Sequence, residues 1–273
     1  MSFEGRYEEV AGATAFVACT GDGEPVLCVH TAGQTGEQWR EVLLELPAAG
    51  YRVIAPDLPG HGRSDPAPDG PVEDLARYAG WCGELLDRLG VERAHLVGCS
   101  IGGRIVLDLA GRRPGLPLAV VAMAANRREG LVSPNGLRRE LEDSSSPSRA
   151  DRTYHGTLAS LGSGVPPARA ELLAARHRRE DPIVTTSDLI GWAGHRLGER
   201  PAAITAPVRL VCGGEDFWLD PAVAASLEQE IPNCTVEVLD GVGHYPMEEV
   251  GGFAGRLVGW LAAAGPGAAP NGG

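Results

Sequence analysis

Apolar residues in this chain gather in short runs divided by polar stretches rich in glycine and proline. Pro25 to Val29, Tyr51 to Ala55, Ala94 to Val97, Leu118 to Ala124 and Pro207 to Cys212 read as buried strands, too short for helices and rich in Val, Leu and Ile. Thr235 to Leu239 alternates as a further strand. Arg6 to Val10 and Thr14 to Thr20 read as an antiparallel pair ahead of the Gly21-Asp22-Gly23 turn. Between the runs the period changes. Leu75, Tyr78, Cys82, Leu85, Leu86 and Leu89 recur at three- and four-residue spacing, the mark of an amphipathic helix. Other helices are expected from about Gly36, over Arg104 to Gly111, Pro221 to Glu230 and Gly252 to Ala263. Strands alternating with helices predict an α/β fold, a mostly parallel sheet with helices on both faces.

One region breaks the alternation. Between about Asn126 and Pro201 no convincing strand appears; a serine-rich loop (Ser144 to Ser148) is followed by helical patterns at Ala170 to Arg178 and Leu189 to Leu197. The expected division is a core domain of residues 1–125 and 202–264, a helical cap of 126–201 over the carboxyl end of the sheet, and a flexible tail of 265–273.

The 273 residues suit one large domain with an insertion, and 43% hydrophobic with 22% charged residues is ordinary globular composition. A formal net charge of −12 argues against nucleic acid and anionic membrane surfaces as partners. No apolar run approaches a membrane span, and the polar, acidic start at Met1 to Val10 does not resemble a signal peptide, so a cytoplasmic location is expected. The cysteines (Cys19, Cys28, Cys82, Cys99, Cys212, Cys234) form no Cys-x-x-Cys pair or zinc-ligand spacing. No metal or organic cofactor is implied. The expected partner is a small-molecule substrate; the oligomeric state is open, with a homodimer as the candidate.

The chemistry enters at Gly98-Cys99-Ser100-Ile101-Gly102-Gly103, between an apolar strand and a helical run. A serine at such a turn needs glycine two positions before and after it, where side chains would collide. The helix start beside it offers unpaired N–H groups where an oxyanion would form. Two partners follow in order. The strand ending at Cys212 runs into Gly213-Gly214-Glu215-Asp216, and the strand ending at Leu239 into Asp240-Gly241-Val242-Gly243-His244. Ser100, Asp216 and His244 thus all lie past strand carboxyl ends, where open parallel sheets place their ligands. Glu215 and Asp220 are the alternatives for the acid. A serine hydroxyl becomes a nucleophile when a base takes its proton, histidine titrates in the right range, and a carboxylate fixes its tautomer.

Together these residues resemble the α/β-hydrolase fold superfamily, in its small capped members, over nearly the whole chain outside the cap. The Asp57-Leu58-Pro59-Gly60-His61-Gly62-Arg63-Ser64 run looks like that family's Asp-x-x-Gly-x-Gly-x-Ser turn, and His244 followed by Pro246 falls in family order. The resemblance implies Ser100 as nucleophile, His244 as general base and acid, and Asp216 as its orienting carboxylate. It departs at His30-Thr31-Ala32-Gly33-Gln34, where the family usually carries His-Gly. The oxyanion donors are placed on the N–H groups of Ile101 and Ala32, and His30 is read as structural.

Trp192, Phe217, Trp218 and Tyr245 are candidates for an apolar pocket wall. The leading expectation is a serine hydrolase (esterase- or lactonase-like) that cleaves a small, largely apolar ester, thioester or lactone through an acyl-enzyme on Ser100. The alternatives are a carbon–carbon bond hydrolase of ring-cleavage products, although Cys99 does not match the asparagine those relatives often show, and a lyase or cyclase on the same triad. A non-catalytic binding protein on this fold is the least favoured.

Overall fold

The apolar runs assemble into one eight-stranded sheet in the computed structural model, which describes residues 4–126 and 148–263. The strands are β1 (Glu4–Val10), β2 (Ala13–Thr20), β3 (Glu24–Val29), β4 (Tyr51–Pro56), β5 (Ala94–Cys99), β6 (Pro117–Met123), β7 (Val208–Gly213) and β8 (Cys234–Leu239). Their spatial order is β1-β2-β4-β3-β5-β6-β7-β8. β2 pairs antiparallel with β1 and β4, and the remaining pairs are parallel. Central strand β5 is buried at every position, as a strand covered on both faces must be.

Helix α1 (Arg40–Glu45) lies between β3 and β4, α2 (Leu75–Arg88) between β4 and β5, and α3 (Ile101–Arg112) between β5 and β6. The expected stripe of α2 is its buried face, with Leu75, Tyr78, Cys82, Leu85 and Leu86 all packed into the core. Asp74 starts this helix by accepting the Ala76 N–H at 2.8 Å. Helix α3 begins at Ile101, three residues before the apolar pattern suggested, because the two glycines Gly102 and Gly103 hide its first turn.

Between β6 and β7 the chain forms α4 (Arg149–Ser160), α5 (Pro167–His177), α6 (Pro182–Gly194) and the short α7 (Arg200–Ala203). The sequence pattern missed α4, which is mostly polar and has only Thr157 and Ser160 buried. It also placed the start of α6 seven residues late, at Leu189 instead of Pro182. The run Ile183-Val184-Thr185-Thr186 is β-branched and poor in helix propensity. Asp181 overrides that preference: its carboxylate accepts the N–H groups of Ile183 (2.8 Å) and Val184 (3.2 Å), with Pro182 at the first helical position. After β7 come α8 (Pro221–Glu228), α9 (Pro246–Glu249) and α10 (Phe253–Ala262). The serine-rich loop up to Pro147 and the expected tail lie outside the described residues.

Candidate active site

Ser100 is the turn between β5 and α3, with φ 56° and ψ −118°. Such a conformation is costly for a residue with a side chain and persists only where the surroundings impose it. The surroundings do so here. The Ser100 N–H donates to the Met123 carbonyl of β6 at 2.9 Å, and its own carbonyl accepts the Arg104 N–H at 3.1 Å. A methyl group on Gly98 would strike the Gly102 carbonyl, and one on Gly102 would strike the carbonyls of Val29 and His30. Both glycines flanking the serine are therefore required by close backbone approach.

Asp216 follows β7 and His244 follows β8. Nδ1 of His244 lies 3.0 and 2.9 Å from the two oxygens of Asp216. Oδ1 of that carboxylate also accepts the N–H groups of Trp218 (2.8 Å) and Leu219 (3.2 Å), which fixes its direction. Glu215 points elsewhere, accepting the N–H and hydroxyl of Ser163 at 2.7 and 2.6 Å. His244 is 6% exposed, and its backbone is held on both sides: its N–H donates to the Ser160 carbonyl at 2.9 Å, and its carbonyl accepts from the Cys99 thiol at 3.3 Å. Burial, then the charges of Asp216, Glu248 and Glu249, push the Cys99 thiol well above its ordinary pKa, so it stays protonated as a donor.

Sequence reasoning missed Glu249. Its Oε2 accepts the N–H groups of Gly162 (2.9 Å) and Gly243 (2.7 Å), and its Oε1 accepts that of Tyr245 (2.8 Å). One buried carboxylate thus grips the peptides on either side of His244. The only signal in the sequence is an acid five positions after the histidine, and its three backbone partners leave no side-chain signature.

Ser100 and His244 line one cavity of about 180 Å³. Its wall includes Ala32, Trp192, Trp218 and Tyr245. The Trp218 ring is held there by its Nε1–H, which donates to Ser160 Oγ at 2.8 Å. Phe217 does not reach the cavity. Its ring is 72% exposed and stands edge-on to Trp218, because the Asp216 turn aims residue 218 inward and residue 217 outward. The segment between β6 and β7 also contributes Arg149, Thr153, His177, Glu180 and Thr185 to the lining, where Thr153 and Thr185 donate to Glu180 and Arg149 pairs with it.

Of the two expected oxyanion donors, Ile101 follows Ser100 at the start of α3, and Ala32 lines the same cavity as Ser100. Ile101 is the first residue of α3, so its N–H has no intrahelical acceptor. At the departure from the His-Gly pattern, the Thr31 N–H and hydroxyl both donate to Gln38 Oε1, at 2.9 and 3.1 Å. His30 is buried, accepts the Leu58 N–H on Nε2 at 3.0 Å and donates from Nδ1 to the Thr31 carbonyl at 2.8 Å. Burial, then the nearby His61, lowers its pKa to about 3, so it is a neutral bolt between two loops. Asp57 is equally structural: it accepts the Gly36 and Arg63 N–H groups at 2.8 and 3.0 Å. Among the described residues no group of three metal-ligating side chains converges.

A family model described as alpha/beta hydrolase fold matches residues 24–249, and the chain belongs to that family. It is 32% identical over 270 residues to the dihydrolipoyllysine-residue acetyltransferase component of the acetoin cleaving system of Cupriavidus necator, covering 92% of this chain and 67% of that one. It is 28% identical over 253 residues to a 2-hydroxy-6-oxononadienedioate/2-hydroxy-6-oxononatrienedioate hydrolase of Cupriavidus pinatubonensis, covering 88% and 87%. In fold it is similar to a thermophilic esterase from Thermogutta terrifontis, with TM-score 0.84 and 21% identity over 96% of this chain and 100% of the other.

Proposed function

Starting from that membership, we propose that the chain is a serine hydrolase that cleaves a small ester, thioester or lactone through an acyl-enzyme on Ser100. The observation that carries this reading is the carboxylate–imidazole pair, His244 Nδ1 at 2.9 Å from Asp216, on the wall of the cavity that holds Ser100 at its strained turn. With Nδ1–H held by Asp216, the other ring nitrogen is left unprotonated as a base. It takes the hydroxyl proton as Ser100 Oγ attacks the carbonyl carbon. The tetrahedral oxyanion is held by the N–H groups of Ile101 and Ala32. His244 returns the proton to the leaving oxygen or sulfur, the bond to it breaks, and the acyl group stays on Ser100. A water, deprotonated by the same imidazole, then releases the acid. Trp192, Trp218 and Tyr245 take the apolar part of the substrate, which suits a largely apolar acyl or alcohol group.

The second reading, a carbon–carbon bond hydrolase, is supported by the ring-cleavage-type name of the Cupriavidus pinatubonensis relative. Turnover of p-nitrophenyl butyrate in ¹⁸O-labelled water separates the possibilities. The proposal expects one label in the released butyrate, loss of nearly all turnover in Ser100→Ala and His244→Ala, and a fall of about 10²- to 10⁴-fold in Asp216→Asn. No ester turnover together with cleavage of a vinylogous 1,5-diketone acid would favour the second reading. Full activity in Asp216→Asn would overturn the assignment of the acid.

A further inference from the structure

Asp188 lies in the middle of α6 and is 0% exposed. A carboxylate withdrawn from water is costly unless its oxygens are met by donors. Asp188 has three, each from a different part of the core. Oδ2 accepts the Gly33 N–H at 2.9 Å and stands 2.8 Å from His61 Nε2, while Oδ1 accepts the Tyr78 hydroxyl at 2.9 Å. Burial alone would lower the His61 pKa, but the charge and hydrogen bond of Asp188, helped by Pro59 and Leu58, raise it above the ordinary histidine value.

The Gly33 contact bears on catalysis because of what it fixes. A peptide unit is planar and trans, so each N–H points opposite the carbonyl of the preceding residue. The Ala32 N–H shares its plane with the Thr31 carbonyl, which accepts from His30 Nδ1 at 2.8 Å and from the Gln34 N–H at 3.1 Å. The next plane carries the Gly33 N–H, and Asp188 holds it. Gly33 has φ 66°, and a methyl group there would strike Thr185 Oγ1 and Glu180 Oε2, so the insertion lies directly on this backbone. The same helix presents Thr185, Leu189 and Trp192 to the cavity. One helix therefore forms part of the substrate wall and grips the loop that carries a proposed oxyanion donor.

We propose that Asp188 is a positioning residue: by holding Gly33 it sets the Ala32 N–H for the oxyanion and couples the insertion helix to transition-state stabilisation. This rests on the serine-hydrolase reading above. Displacing a donor by an ångström is enough to cost about 10²-fold in rate.

The test uses the full chain carrying Asp188→Asn or Asp188→Ala. It compares kcat/KM for p-nitrophenyl butyrate, inhibition by a propyl trifluoromethyl ketone, which becomes an oxyanion on Ser100, and inhibition by 1-butanol, which fills the cavity without forming one. The ester rate and the ketone affinity are expected to fall together, about 10-fold in Asp188→Asn and about 10²-fold in Asp188→Ala, with alcohol affinity within about twofold of wild type. If Asp188→Ala does not fold, Asp188→Asn decides alone. A folded Asp188→Asn that keeps its ketone affinity, or loses alcohol affinity by the same factor, overturns the inference and leaves the hydrolase reading standing. A wild-type chain that neither hydrolyses the ester nor binds the ketone overturns both.

Discussion

A residue with a side chain is held at φ 56°, ψ −118° at an energetic cost, and Ser100 bears it on the wall of the cavity. The strain gives a prediction independent of activity. Glycine suffers no clash in that region, whereas alanine does, so Ser100→Gly should be more stable than Ser100→Ala by about 1–2 kcal/mol in denaturant unfolding. Equal stabilities, or the reverse order, would mean that the turn is not strained as described. The serine and its two flanking glycines were legible because steric exclusion writes itself into adjacent positions. Asp216 and His244 were legible because each follows an apolar strand. Asp188 and Glu249 were not: Asp188 takes its three donors from residues more than a hundred positions away, and Glu249 accepts only backbone N–H groups, which any residue type but proline can supply. Phe217 failed as a pocket residue because neighbouring aromatics in a turn point in opposite directions, which composition cannot reveal.

Loops at the carboxyl ends of β3 and β4 are joined by His30, whose neutral ring accepts from Leu58 and donates to Thr31. Its pKa, near 3 in the fold, lies below the value of about 6.5 for an unfolded chain. Between these two values the unfolded state binds a proton that the native state refuses, so this group's contribution is present above about pH 6.5 and is lost as pH falls toward 3. Imidazole ¹⁵N spectra should show one histidine fixed as the Nδ1–H tautomer and not titrating down to pH 4; titration of all seven histidines between pH 5 and 8 would contradict the arrangement. At this scale the strands were readable from apolar runs, and α2 from its stripe. Helix α6 was read only in part, because an N-cap at Asp181 outweighs the β-branched residues that follow it. Helix α4 has no apolar stripe to read, since its inner side faces a cavity and carries hydroxyls.

Over the whole molecule, the parallel arrangement brings β5, β7 and β8 side by side with β6 between the first two, so three loops far apart in sequence open on one rim. The sheet order itself was not in the sequence, but the strand–helix alternation that produces it was. Among the described residues no helix is long and apolar enough to cross a membrane. The measurement that reaches the central claim most directly is intact-mass analysis after treatment with a fluorophosphonate, followed by peptide mapping, on the wild type and on His244→Ala. The account predicts a single adduct on the Ser100 peptide, formed at least about 10³-fold more slowly in His244→Ala. No adduct, an adduct on another residue, or equal rates in the two proteins would contradict it.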